Sequence, residues 1–143
     1  AQVLARLGAE QVMVVHGMDG LDEISVASRT RVVEVKDGEL SEYLLAPEDV
    51  GIQSASLVGL DVKDPSASLD VIRDVFTERK RPHANKAADM IALNAGAAIY
   101  VAGIASTLQE GVEQASKVIN NGEAAKRMEQ VAAYTQQLIK GEV

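Results

Sequence analysis

The first third of the chain carries three short apolar runs of strand length. They cover residues 12–15, 30–35 and 40–45, and the last two are rich in Val and Leu. The segment between those two contains Asp37-Gly38, a strong signal for a tight hairpin turn. The pattern therefore predicts one strand followed by an antiparallel hairpin.

The apolar positions before the first strand are typical of the end of a helix. Val3, Leu4 and Leu7 are followed by Gly8, a residue that commonly stands just past a helix C-terminus. The chain thus begins inside a predicted helix. We expect a fragment of a longer protein, and a short first helix of an intact protein is the alternative.

Helical spacing takes over after the hairpin. Pro47 can open a helical turn, and Asp64 with Pro65 forms a good helix start that we expect to end near Arg79. A second helix is predicted at about residues 85–102. It is apolar on nearly every face, which is typical of a buried helix.

Two more helices complete the pattern. The third begins at the capping box of Thr107 and Glu110 and closes at Asn121-Gly122. The fourth ends by Gly141 and carries an apolar stripe at alternating spacings of four and three: Ala124, Met128, Val131, Thr135 and Leu138. The predicted class is α/β, a strand and hairpin followed by about four helices in one domain.

Composition narrows the class of protein. The 143 residues are 47% hydrophobic but only 3% aromatic, which predicts a packed aliphatic core. The absence of cysteine excludes disulfides, thiolate metal sites and a cysteine nucleophile. No apolar run approaches the roughly 18 residues of a membrane span, and no signal peptide is visible. We expect a cytoplasmic protein without a membrane partner.

The net charge disfavours nucleic acid as a partner. A formal charge of -7 repels phosphate backbones unless a local basic patch is present. The basic cluster at residues 79–81 is interpreted as a solvated helix end, where cations favour the helix dipole, and a nucleic-acid site is the alternative.

The candidate chemistry lies in the acidic segment 16–24, directly after the first strand. Ligand sites of open α/β sheets lie past the carboxyl ends of strands, and the adjacent Asp22 and Glu23 suggest oxygen ligands for Mg²⁺. The alternative is a pair of solvated charges in a turn. Asp19 is assigned to bonding its own backbone in the turn.

Other polar residues receive structural roles. His16 is interpreted as a hydrogen-bonding residue at a strand end, and His83 receives no role. Asn94 lies in the apolar helix, where we expect it to satisfy buried backbone or a neighbouring element, and a ligand contact is the alternative. Ser25 and Thr30 are assigned to turn and strand chemistry. We assign no catalytic or substrate-binding residue.

Four short sequence motifs resemble those of a known family. Residues 14–17, 19–25, 47–51 and 93–100 resemble, in order and spacing, the C-terminal part of the anthranilate phosphoribosyltransferases. The resemblance extends over essentially the whole chain but covers less than half of the family's length. It implies that residues 1–143 are the C-terminal part of a large catalytic domain of the nucleoside phosphorylase/phosphoribosyltransferase type.

The family's reaction sets the expected function. Its members transfer the phosphoribosyl group from phosphoribosyl pyrophosphate to anthranilate in tryptophan biosynthesis, releasing pyrophosphate. The resemblance implies that Asp22 and Glu23 bind the Mg²⁺ ions that hold the pyrophosphate. Such ions neutralise the charge that the leaving group accumulates. Relatives of the same fold, a noncatalytic nucleic-acid-binding protein or a nucleoside phosphorylase, are the alternatives.

Departures from the family pattern limit what this segment can do alone. Residues 58–61 stand where the family has Gly-Gly-Asp, and residues 65–67 replace an Asn-Ala word. The segment lacks a glycine-rich phosphate-binding loop and the family's upstream Lys-His-Gly-Asn word. We therefore expect the N-terminal helical domain and that loop to be absent, the isolated chain to be inactive, and its unpaired strand to favour a homo-oligomer.

Overall fold

The computed structural model describes residues 1–141. The elements, in chain order, are α1 (Gln2–Arg6), β1 (Gln11–Gly17), β2 (Thr30–Lys36), β3 (Glu39–Leu45), a 3₁₀ helix (Pro47–Val50), α2 (Pro65–Phe76), α3 (Ala84–Val101), α4 (Leu108–Asn120) and α5 (Glu123–Lys140). The predicted α/β class and the order of strand, hairpin and four helices are confirmed.

The three strands form an antiparallel sheet in the order β1-β2-β3. Asp37 and Gly38 both have positive φ, as the predicted hairpin turn requires. β1 is longer than predicted, since Gly17 still pairs with Thr30 and the connecting loop begins only at Met18. Because the sheet is antiparallel in the described residues, the rule for open parallel sheets does not account for the position of this loop.

The core lies between the sheet and α3 and α4. Its buried members are aliphatic, as expected from the composition: Ile24, Val26, Val32, Leu45, Val50, Val75, Ala87, Ala88, Ala92, Leu93, Val112, Ala115 and Ile119. α3 and α4 cross closely where Gly96 meets Gly111. A Cβ on Gly96 would lie 2.5 Å from the backbone nitrogen of Val112, so only glycine fits at that crossing.

Two predicted helix caps are confirmed. The Asp64 carboxylate accepts a hydrogen bond of 2.8 Å from the Ala67 amide, and the Thr107 hydroxyl accepts one of 3.1 Å from the Glu110 amide. The Glu110 carboxylate completes the box one residue early, since it accepts from the Ser106 amide at 2.9 Å. These side chains satisfy amides that the first helical turn leaves unpaired.

The predicted end of α2 near Arg79 is wrong by three residues. The helix stops at Phe76, and Arg79 has a positive φ of 50°. The Asp74 carboxylate accepts hydrogen bonds from the Lys80 and Arg81 backbone amides, so the chain turns away from the helix axis. The Arg79 guanidinium donates to the Val75 carbonyl at 3.1 Å, so it does serve the helix C-terminus as interpreted.

The apolar stripe of α5 is only partly covered. Met128 is half-buried, whereas Val131 and Leu138 are exposed. Within the part of the chain that the structure describes, none of the helices combines the length and the apolarity that crossing a bilayer requires.

One edge of β1 has no partner strand among residues 1–141. That edge borders an apolar groove lined by Val12, Met13, Ala97 and Val101, and the neighbouring Val14 is 41% exposed. An apolar edge strand presents free amides and carbonyls to another chain. We therefore expect this edge to be available for strand pairing.

We predict that the isolated 143-residue chain associates through this edge. Size-exclusion chromatography with light scattering should give a mass above the 15.2 kDa of one chain. Val14→Lys should shift the mass toward the monomer, because a charged residue protects an edge from pairing. Val131→Lys on α5 is the matched control and should change nothing. A monodisperse wild-type monomer would contradict the prediction.

Candidate metal centre

The acidic loop, residues 18–29, connects β1 to β2, and backbone hydrogen bonds hold its two ends together. The Met18 amide donates to the Arg29 carbonyl at 2.9 Å, which extends the β1-β2 ladder into the base of the loop. The chain then folds back on itself, and the Gly17 amide donates to the Leu21 carbonyl at 2.8 Å. The start of the loop is thus fixed by backbone bonds.

Asp19 bonds its own backbone in the turn, as the sequence predicts, since its carboxylate accepts a hydrogen bond of 3.4 Å from the Leu21 amide. One of its carboxylate oxygens accepts a 2.6 Å hydrogen bond from the Ser25 hydroxyl, which bridges the two sides of the loop. The other lies so close to Gly17 that a Cβ there would be 2.5 Å away. A side chain at position 17 would therefore have to displace the Asp19 carboxylate.

Ser25 and Thr30 are fully buried and serve the loop backbone, as assigned. The Ser25 amide donates to the Thr30 hydroxyl at 3.0 Å, and the Ser25 hydroxyl accepts from the Ala27 amide at 3.0 Å. Buried polar atoms are thereby paired, and the return path of the loop is fixed.

The middle of the loop is anchored in the core and held by α3. Ile24 is 2% exposed and Val26 is fully buried. The Ile24 amide donates to the Asn94 side-chain oxygen at 2.9 Å, and the Asn94 side-chain nitrogen donates back to the Ile24 carbonyl at 2.9 Å. The expectation that Asn94 satisfies buried backbone is confirmed.

Asp22 and Glu23 lie between these fixed points, and both side chains are exposed. Within residues 1–141, neither carboxylate belongs to an ion pair. Both are therefore available to a ligand, on a loop whose flanking backbone is held.

The two carboxylates fit a metal that is shared with a ligand. In the described part of the chain, no group of three or more acidic, histidine or cysteine side chains is gathered to hold an ion. Mg²⁺ usually binds through one or two carboxylates, with substrate phosphates and water completing its shell. Asp22 and Glu23 match that donor set.

Glu23 also lines a cavity of about 270 Å³ between the acidic loop, α2 and α3. Asp61 lines the same cavity, and most of the remaining wall is apolar. The Lys86 ammonium holds the segment before Asp61 by donating to the Val58 carbonyl at 2.6 Å. In the sequence, residues 58–61 stand out only because they differ from the family pattern. No local signal there indicates that Asp61 and Glu23 line the same cavity.

The two histidines lie outside the acidic loop. His16 is an exposed residue of β1 paired with Arg31. His83 precedes α3 with a positive φ of 70°, and its ring packs against Gly59, where any Cβ would collide with it.

Sequence reasoning missed a buried polar cluster that joins α3 to the sheet. Glu34 is 7% exposed and accepts hydrogen bonds from the Tyr100 hydroxyl at 2.7 Å and the Tyr43 hydroxyl at 3.1 Å. The Lys36 ammonium donates to the Tyr100 oxygen at 3.1 Å. Strand alternation from the buried Val32 could have placed Glu34 on the inner face.

The class of the protein follows from a family comparison. The model of the glycosyl transferase family, a/b domain, matches residues 1–125, and the chain belongs to this family.

Curated relatives make the class more specific. The anthranilate phosphoribosyltransferase of Cellvibrio japonicus is 54% identical over 138 residues, covering 96% of this chain and 40% of the relative. That of Stutzerimonas stutzeri is 53% identical over 135 residues, covering 94% and 39%. The resemblance inferred from the four sequence motifs is confirmed. The chain spans about two fifths of the length of these relatives.

Solved structures agree with the fold. The crystal structure of anthranilate phosphoribosyltransferase from Thermus thermophilus has a TM-score of 0.80 and 36% identity, covering 94% of this chain and 38% of that one. The Saccharomyces cerevisiae enzyme in complex with PRPP and Mg has a TM-score of 0.67 and 23% identity, covering 82% and 33%. At that identity the second likeness concerns the fold alone.

The tyrosines of the buried cluster give the fold a pH dependence. Burial, together with the Glu34 carboxylate, raises the pKa of Tyr43 above its ordinary value of 10.0, and burial raises the pKa of Tyr100. A raised folded-state pKa means that the unfolded chain loses these protons first as the pH rises. The stabilising contribution is complete below about pH 10 and is lost above it.

We predict that the free energy of unfolding falls as the pH rises from about 10 to about 12 and that Tyr43→Phe makes this fall shallower. Urea unfolding across that range measures the effect. Tyr134→Phe, at an exposed position of α5, is the control and should keep the wild-type slope. Identical slopes for Tyr43→Phe and wild type would rule out this account of the cluster.

Proposed function

We propose that this chain is part of an anthranilate phosphoribosyltransferase, which transfers phosphoribosyl from phosphoribosyl pyrophosphate to anthranilate and releases pyrophosphate. The observation that carries the proposal is the acidic loop, with Asp22 and Glu23 exposed between held backbone positions. The identity of about one half to enzymes of that name supports it over the whole segment.

Residues 1–143 would form the C-terminal part of the catalytic α/β domain. The rest of the protein would supply the N-terminal helical domain and the phosphate-binding loop. The relatives' greater length and the free edge of β1 support this division. In this arrangement the chain contributes the metal-binding half of the site.

Asp22 and Glu23 would hold Mg²⁺, which supplies electrostatic stabilisation of the pyrophosphate leaving group. The carboxylates bind the ion, and the Asp19-Ser25 and Asn94-Ile24 contacts fix the backbone on both sides of them. The Saccharomyces cerevisiae enzyme of this name has been solved with PRPP and Mg. For this chain, the choice of Mg²⁺ is supported by the two exposed oxygen ligands of the acidic loop.

The charge and the exposed strand edge bear on the partners of the proposed enzyme. The charge of -7 supports a protein without a nucleic-acid partner, and in the isolated chain the free β1 edge supports a homo-oligomer. The cytoplasmic location stays a prediction from sequence.

The metal assignment can be tested in a chimera in which this chain replaces the matching segment of the Cellvibrio japonicus relative. We predict that Asp22→Asn and Glu23→Gln each lower the Mg²⁺-dependent consumption of anthranilate at least about 100-fold. A metal clamp on a leaving group is worth several kcal/mol, and each 1.4 kcal/mol changes the rate tenfold.

Glu129→Gln on the exposed surface of α5 is the matched control and should keep full activity. Unfolding curves should show that all three variants are folded. Full activity in both loop variants would refute the metal assignment. The isolated chain should be inactive in the same assay, and turnover by it would contradict the proposed division of the site.

A further inference from the structure

The peptide of Ile24 lies directly after Glu23 and is gripped by one side chain. Asn94 accepts from its amide and donates to its carbonyl, each at 2.9 Å. Ile24 is 2% exposed and Asn94 is half-buried, so the pair of bonds is partly shielded from water. The Asn94 side chain thus bonds both the amide and the carbonyl of Ile24, as the backbone of a neighbouring β-strand would do.

Only a carboxamide can make this pair of bonds. An aspartate would accept from the amide but could not donate to the carbonyl. The Asn94 side-chain nitrogen also donates to the Met90 carbonyl at 3.1 Å, which sets the orientation of the carboxamide. Because Met90 and Asn94 lie on the same helix, the grip on the loop comes from a rigid element.

The grip limits where Glu23 and Asp22 can point. On the other side of the pair, the Asp19 carboxylate binds the Ser25 hydroxyl at 2.6 Å. The two exposed carboxylates themselves have no ion-pair partner within residues 1–141 that would orient them. Their direction is therefore inherited from the backbone that Asn94 holds.

We propose that Asn94 is a positioning residue for the metal site, an inference that rests on the proposed function. It holds the Ile24 peptide so that Asp22 and Glu23 face the bound cation and its pyrophosphate before either arrives. A loop ordered in advance does not lose conformational entropy on binding. Outer contacts of this kind commonly contribute about 10–100-fold to metal affinity.

A purely structural role predicts something different. Asn94 would then only satisfy a buried peptide, and its loss would lower the stability and the folded fraction. The metal affinity of the molecules that remain folded would not change. Affinity, rather than activity alone, separates the two roles.

The experiment uses the same chimera with Mn²⁺ as the probe and inorganic pyrophosphate as the ligand. Electron paramagnetic resonance measures free Mn²⁺ during a titration, and the Mg²⁺ concentration for half-maximal activity is measured in parallel. Asn94→Ala should weaken Mn²⁺ binding about 10–100-fold and raise the Mg²⁺ requirement, with turnover largely restored by excess Mg²⁺. Asn94→Asp, which keeps the acceptor, should weaken binding less.

Asn85→Ala, at an exposed position of the same helix, is the matched control and should bind Mn²⁺ as the wild type does. Wild-type Mn²⁺ affinity and Mg²⁺ requirement in both Asn94 variants would overturn the positioning role. If Asn94→Ala does not fold, the isosteric Asn94→Asp decides the question by the same measurement.

Asp22→Asn in the same series separates the two proposals. If it loses Mn²⁺ binding while the Asn94 variants keep it, only the role of Asn94 is wrong. If Asp22→Asn also binds Mn²⁺ normally, the metal assignment and the inference built on it both fail.

Discussion

The close crossing of α3 and α4 is the constraint on which the rest of the structure depends. At Gly96 and Gly111 the two backbones approach so closely that a single added methyl would separate the helices. α3 is thereby seated deep in the core, and its other sides reach the sheet and the acidic loop. Tyr100 binds Glu34 of β2, and Asn94 binds Ile24. The single helix α3 thus sets the positions of the sheet and of the acidic loop.

The acidic loop shows how exposed charges can be held without being neutralised. Its buried residues Ile24 and Val26 anchor it by apolar contact, while Asp19 and Ser25 tie its two sides together. The stabilising contacts go to the backbone and to flanking residues, and the Asp22 and Glu23 carboxylates are left exposed for a ligand. A loop can present adjacent side chains to one ligand, whereas a strand directs them to opposite faces.

Local signals explain what could be predicted from the sequence. The Asp37-Gly38 turn and the caps at Asp64 and Thr107 depend on neighbouring residues only, and the structure has all three. The pairing of Ile24 with Asn94 spans 70 positions, so no local pattern contains it. The sequence predicts that the Asn94 side chain needs a hydrogen-bond partner, but it does not identify that partner as Ile24. The position of Asp22 and Glu23 after a strand suggests metal ligands, and the family resemblance supports that hypothesis. The contacts that hold the backbone around them could be found only from the fold.

The most direct measurement is an anomalous difference map of the complete protein crystallised with Mn²⁺ and phosphoribosyl pyrophosphate. The account predicts a manganese peak within coordination distance of the Asp22 and Glu23 carboxylates and of the pyrophosphate, with the Asn94 carboxamide still bound to the Ile24 peptide. A peak on the pyrophosphate that neither carboxylate reaches would contradict it.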